Sequence, residues 1–458
     1  YSSARSELLV VYGRRRIGQT GLLRRFAADK HPFFFTGSRE PAQGQIQRLL
    51  GGLAQWADDP LLSRLRLTRW SEALDAIVRV VRDRPGKTVI VLDEFQWMCA
   101  GRSTLLSDLQ RLWDFEWRDN GRLALVLCGS AVSFMVGEVL SRKSPLFGRR
   151  TASIHLQPLR AADARGFFEG RSLFEAAEAL ITVGGVPAYL ERFDPSRSVR
   201  ATLDDEAFSP DGYLVDEIDF ALGEQLRQKE RYHQLCGELA VGACSMADLS
   251  RRMGLNKGQL DFYLSRLQVL GFVEKHRPMG KSARSKTVLL RLSDEYLRFY
   301  FQYVEPNLDR IRIRRGGYAF DRMTGDSWNT FLGLGFEAFV RRNVDALADT
   351  LGITDVVART GSYWHRRTRV REGVQIDLVV ERSDGVTNII ECKWSRSPVG
   401  RRLIDELTRK CHAYPNPRSH TLEPILVSAA GASQAVVDAG VRVVTLEALF
   451  REGERSKT

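Results

Sequence analysis

Ile389-Ile390-Glu391-Cys392-Lys393-Trp394 places an acid and a base two residues apart at the end of an apolar run. The run reads as a strand entered from the turn Asp384-Gly385. Side chains alternate along a strand, so Glu391 and Lys393 leave on one face, and Ile390, Cys392 and Trp394 on the other. An acid beside an ammonium can hold a metal ion and orient a water once a second acid joins them. Val374-Gln375-Ile376-Asp377-Leu378-Val379-Val380, one hairpin upstream, supplies Asp377. An odd connection such as Ser383-Asp384-Gly385 sets Asp377 opposite Glu391. An even one sets it opposite Cys392 and dismantles the site, leaving a solvated Glu/Lys pair on a surface hairpin.

A second group of residues suits phosphate chemistry. Glu7-Leu8-Leu9-Val10-Val11-Tyr12 reads as a buried parallel strand. It runs into Gly13-Arg14-Arg15-Arg16-Ile17-Gly18-Gln19-Thr20, and a helix begins near Gly21. Strand, glycine loop and helix form the setting of a P-loop, whose backbone N–H groups cradle phosphates. Gly13, Arg16, Gly18, Gln19, Thr20 and Gly21 are the expected nucleotide contacts. The usual Lys is replaced by Gln19, which can donate a hydrogen bond to phosphate but carries no charge. ATP binding should therefore weaken, and hydrolysis should suffer more. Lys87-Thr88-Val89-Ile90-Val91-Leu92-Asp93-Glu94 looks like a Walker B strand. Asp93 would hold Mg²⁺ together with Thr20, and Glu94 would orient the attacking water. Leu123–Ser130 is a third buried strand, and Ser130 at its C-terminal edge sits where open α/β sheets place ligand contacts. Arg149 and Arg150 could offer an arginine finger, which would need a homo-oligomer if it acted in trans.

The elements that position these groups suggest an α/β chain of several domains. The 458 residues and ordinary apolar content allow about three domains. Boundaries are expected at 1–158 for the nucleotide core, 159–228 for a helical lid and 229–300 for a winged helix-turn-helix. A basic linker would follow at 301–326, and a last α/β domain at 327–458. In the winged helix, Met246–Met253 and Lys257–Leu270 are helices joined by Gly254-Leu255-Asn256. Phe272-Val273-Glu274 and Val288–Leu292 bracket a basic loop with Lys275, Arg277, Lys281, Arg284 and Lys286. Such a module can dock DNA or contact protein.

The net charge of +12 points to a polyanionic partner, most simply DNA. Six scattered cysteines with no CxxC pair speak against zinc and disulfides, and for a reduced cytoplasmic setting. No apolar run approaches the roughly 18–20 residues of a membrane helix, so no membrane partner is expected. The chain opens on Tyr1 rather than Met, which suggests a segment upstream.

Asp377, thirteen intervening residues and then Glu391-x-Lys393 resemble the core of the PD-(D/E)xK nucleases. The resemblance implies Asp377 and Glu391 on Mg²⁺ or Mn²⁺ and Lys393 beside the attacking water. It implies a further acid from a preceding helix, matched by Glu337, and a restriction-endonuclease-like α/β domain. GRRRIGQT, VLDEF, CGS, FGRRT and the stretch Gly184–Leu190 resemble the archaeal-type ATPases, near the AAA+ and STAND proteins. Members of that group often carry a C-terminal DUF234 domain of nuclease type. The expected function is thus an ATP-regulated, divalent-metal-dependent DNA endonuclease, with ATP hydrolysis in doubt because of Gln19. The alternatives are a nucleotide-responsive DNA-binding regulator with a vestigial nuclease fold, or an NTPase acting on a protein partner.

Overall fold

The computed structural model of the chain describes residues 3–101, 103–223, 226, 228–281, 287–367 and 372–451. It divides into two compact units, Tyr1–Gln157 and Pro158–Thr458. Among the described residues no helix is long and apolar enough to cross a membrane.

The first unit is built on a parallel sheet of β1 (Glu7–Tyr12), β2 (Phe33–Thr36), β3 (Thr88–Asp93), β4 (Leu123–Gly129) and β5 (Ala152–His155). Its strand order is β2-β3-β4-β1-β5. Every residue of β3 and β4 is buried, as continuous apolar runs require when helices cover both faces. Alternation along the strands makes two cores. Leu8, Val10, Ile90, Leu92, Leu125 and Leu127 pack under the helices Ala42–Ala57 and Trp70–Asp83. Val11, Val89, Val91, Val126 and Cys128 face Leu23 and Ala27 of the helix Gln19–Ala27. Because β4 lies between β1 and β3, the glycine loop, Ser130 and Asp93 all emerge at the same carboxyl edge of the sheet.

The second unit begins with helices, including Leu173–Val183, Val199–Phe208 and Tyr213–Gly223. The helices Lys229–Ala240, Met246–Met253 and Lys257–Val269 then meet an antiparallel sheet of β6 (Cys244–Ser245), β7 (Val273–His276) and β8 (Leu289–Leu292), in the order β6-β8-β7. This is a winged helix. Gly254, at φ 62°, ends the second helix in the left-handed region, and Asn256 and Gln259 cap each other's backbone to start the third. Arg284 and Lys286 of the basic loop lie outside the described residues.

The stretch expected to be a linker is instead packed. Tyr303, Val304, Ile311 and Phe320 are buried. The Arg314 guanidinium pairs with the Asp204 carboxylate and donates to the Phe208 carbonyl at 2.6 Å. A basic surface pattern had hidden the apolar residues beneath it.

The last part of this unit is a mixed sheet of β9 (Val357–His365), β10 (Val374–Arg382), β11 (Val386–Lys393), β12 (Thr421–Ser428) and β13 (Arg442–Val444). Its strand order is β13-β12-β11-β10-β9. β9, β10 and β11 form an antiparallel meander, whereas β11, β12 and β13 run parallel. A parallel neighbour demands a crossover. The helix Arg402–Ala413 provides it, setting Leu403 and Leu407 against Leu426. The helix Trp328–Arg342 precedes the meander, anchored by Trp328 Nε1, which donates to the buried Glu178 carboxylate at 2.8 Å.

Candidate functional site

The hairpin β10–β11 closes over the three-residue turn Ser383–Gly385, with Gly385 at φ 83°. Leu378 pairs with Ile390 and Val379 with Ile389. The same register continued by one residue sets Asp377 opposite Glu391, the odd-loop outcome. On the other side of β10 the pairing with β9 slips between Ile376 and Val379. A slip of this kind re-aims side chains locally, and Asp377 sits within it. Its backbone carbonyl accepts from Ser362 Oγ at 2.7 Å, and its carboxylate accepts from the Cys392 N–H at 3.0 Å.

Glu391 is 3 % exposed. One of its oxygens lies 2.7 Å from Lys393 Nζ, and the other is paired with Lys410 Nζ. Glu406 bridges the two ammonium groups, at 3.1 Å from Lys393 and 3.0 Å from Lys410. Glu337, Asp377, Glu391, Lys393 and Lys410 line one pocket. Burial, then the charge of Asp377, pushes the carboxyls of both Glu337 and Glu391 up to about 7. Burial works against the Lys393 ammonium, but Glu391 overrides it and holds the pKa above the usual lysine value.

Asp377, Glu391 and Glu337 are the residues expected on a metal ion, and Asp377 and Glu337 share one pocket with Glu391. Among the described residues no group of three or more His, Cys, Asp or Glu side chains is arranged to hold a metal ion. Lys393 and Lys410 supply counter-charge to Glu391. The donor set nevertheless suits a hard cation. Its oxygens are carboxylates, and Asp377 disfavours the charge on both neighbouring glutamates, a repulsion that a divalent ion on Asp377 and Glu391 would relieve.

Lys410 and Glu406 were missed from the sequence. Their signal was faint, an acid and a base four residues apart on one helix face. Arg341 was missed as well. It follows Glu337 by one turn, 3.8 Å from its carboxylate, and donates to the Asp377 carbonyl at 3.4 Å.

In the first unit the nucleotide residues gather at the strand ends. A Cβ on Gly13 would meet the Leu156 carbonyl at 2.8 Å. Gly18, at φ 88°, caps the helix Gln19–Ala27, a conformation that glycine adopts without strain. Gly21, on the first turn of that helix, has open space around it. Arg16 stands in the loop at φ 67°. Thr20 Oγ1 donates to the Asp93 carboxylate at 2.7 Å, and Ser130 Oγ donates to Glu94 at 2.8 Å.

Gln19 is buried, and its amide donates to the carbonyls of Gly13 (3.0 Å) and Gly129 (3.1 Å). Arg149 forms a bidentate pair with Asp114 at 2.8 Å, and Arg150 donates to the Leu140 carbonyl at 3.0 Å. Arg149 is thus held in place by its own unit.

A glycine loop at a helix N-terminus, with Thr20 of that helix bonded to Asp93 at the end of β3, defines a P-loop nucleotide-binding module. Comparison with known proteins agrees. Residues 1–193 match a family described as an ATPase domain predominantly from Archaea. Residues 300–404 match DUF234, described as archaeal and bacterial proteins of unknown function. The N-terminal part of the chain is thus similar to an archaeal ATPase domain, and its C-terminal part to DUF234. An uncharacterized protein of Methanocaldococcus jannaschii is 26% identical over 389 residues, covering 85% of this chain and 83% of that protein. The Walker-type ATPase of Pyrococcus abyssi superposes with a TM-score of 0.49 at 17% identity, covering 65% of this chain and 91% of its own. The ORC2 protein of Aeropyrum pernix, solved in ADPNP and ADP complexes, gives 0.41 at 15%, covering 67% and 88%.

Proposed function

We propose that this chain is a nucleotide-controlled, divalent-metal-dependent DNA endonuclease. The observation that carries the reading is the β10–β11 register, which brings Asp377 and Glu391 together with Lys393 2.7 Å from Glu391. Asp377 and Glu391 would hold Mg²⁺ or Mn²⁺, with Glu337 in support. When bound, such an ion makes water a nucleophile near neutral pH and offsets charge on the phosphate. Lys393 orients the water and donates to the developing charge on phosphorus-bound oxygen. Lys410 holds the second oxygen of Glu391 and so keeps that carboxylate aimed. The nucleotide unit would place Thr20 and Asp93 on Mg²⁺ and Glu94 on the attacking water. With Gln19 spent on two carbonyls, nucleotide acts as a bound signal more than as a fuel.

An end-labelled DNA strand incubated with Mn²⁺ tests the reading. Cutting should need the metal, stop in EDTA and vanish in Glu391→Ala while DNA affinity persists. The closed ring of Glu391, Lys393, Glu406 and Lys410 favours a second reading, a DNA-binding regulator with a quiescent nuclease fold. That protein would retard DNA on a gel and never nick it.

A further inference from the structure

We propose that the cleft between the winged helix and the C-terminal sheet receives a single unpaired DNA strand and leads it to Asp377. The inference rests on the nuclease reading and narrows its substrate. The cleft is a cavity of about 800 Å³. One wall is the end of the helix Lys229–Ala240 with β7 and β8, and the other is the helix Trp328–Arg342 with β9 and β10. Glu337 and Asp377 line both this cleft and the carboxylate pocket, so the two cavities meet at the candidate reaction centre.

The walls are fixed to each other. His276 of β7 stacks on Trp364 of β9 with centroids 4.5 Å apart and planes 14° apart. The Met279 N–H donates to the Ser362 carbonyl at 2.8 Å, and Arg342 donates to the Ser293 carbonyl at 3.1 Å. The cleft is therefore preformed, which spares an entering strand the cost of ordering it.

The lining offers what a nucleotide unit needs. Val241 (81 % exposed) and Leu334 (57 % exposed) line the same cleft as Trp364 and present apolar surface suited to the flat face of a base. On the winged-helix wall Glu274 pairs with Arg291 and Glu295 with Arg342, and Asp294 accepts from the Leu297 N–H at 2.8 Å. On the opposite wall, the largely buried Arg341 has an Nε without a hydrogen-bond partner, and exposed Arg366 makes no ion pair among the described residues. Guanidinium groups so placed fit a phosphate. The volume falls in the range of roughly 300–1,000 Å³ typical of sites for single small molecules. One helical turn of duplex is about 34 Å long and demands far more room.

The test uses the full chain, a short fluorescent DNA strand and its blunt duplex, with anisotropy read in EDTA. Arg366→Glu and Val241→Asp alter exposed positions outside the proposed catalytic set. Each should weaken the unpaired strand about ten-fold with an unchanged melting temperature, and the parent should prefer the strand over the duplex. Variants that bind the strand as the parent does would overturn the inference, as would equal parental affinity for the blunt duplex. Mn²⁺ cleavage separates this outcome from the nuclease reading. A parent that cuts blunt duplex, with both variants cutting as well, removes the cleft and leaves the nuclease. Cleft-dependent strand binding without any cutting keeps the cleft and removes the nuclease.

Discussion

Replacing Gln19 by Lys should convert a weak nucleotide site into a strong one. The Gln19 amide makes two buried bonds, to the Gly13 and Gly129 carbonyls. Each is worth about 1 kcal/mol net, whereas one bond to a charged phosphate is worth about 1.5–3 kcal/mol. Turning the amide towards a phosphate would therefore exchange roughly 2 kcal/mol for a similar amount, and the side chain gains nothing by moving. A Lys ammonium can use the same two carbonyls while the cradle is empty, then form charge-to-charge bonds about twice as strong as neutral ones when phosphate arrives. The surplus of about 1.5–2 kcal/mol corresponds to ATP affinity roughly ten- to thirty-fold tighter. Titration with a fluorescent ATP analogue measures this directly. A thermal-shift series should show a correspondingly larger ATP-induced rise in melting temperature. Affinities equal within about two-fold would mean that the Gln19 position does not face bound phosphate, and the account of the cradle would be wrong.

Other outcomes follow from the same contacts. Lys410→Ala leaves the buried Glu391 short of a partner and should cost about 3 kcal/mol in unfolding experiments, with added Mn²⁺ restoring part of the loss if the ion takes over the counter-charge. Arg149→Ala should lower the unfolding free energy of the nucleotide unit by about 1 kcal/mol and leave ATP affinity unchanged, because its partner is Asp114. In metal-free buffer, Glu337 and Glu391 favour the proton in the folded state. Their contribution is full below the ordinary value of 4.5 and is lost as pH rises through about 7. Melting temperatures should decline across that window, and decline less in Glu337→Gln. Burial, then Arg291 and Arg341, depresses His276 from 6.5 to about 3. Its contribution is present above 6.5 and is lost as pH falls through about 3, so His276→Gln should flatten the acid limb of the same profile.

What the sequence revealed depended on how local each signal was. The hairpin was legible because a period of two and a three-residue turn fix the register between Asp377 and Glu391 without help from elsewhere. The phosphate cradle was legible because its residues are contiguous from Gly13 to Thr20. Lys410 and Glu406 were hidden because they reach the site only through the packing of Leu403 and Leu407 on the sheet. The Arg149–Asp114 pair joins positions 35 residues apart with no spacing rule to announce it. β2 and β5 escaped notice as four-residue strands, and all of β5 is exposed, so neither periodicity nor a long apolar run marks it. In the stretch 301–326 the arginines drew attention and the buried Ile311 and Phe320 did not.

The central claim, that Asp377, Glu391 and Lys393 form a working phosphodiesterase centre under nucleotide control, is tested most directly on supercoiled plasmid. The parent chain, Lys393→Ala and Gln19→Lys are incubated with Mn²⁺, with and without ATP. The account predicts nicking by the parent, none by Lys393→Ala although it still binds the plasmid, and a stronger response to ATP in Gln19→Lys. Plasmid that is retarded on a gel yet left intact by all three proteins, at every Mn²⁺ and ATP concentration, would contradict it.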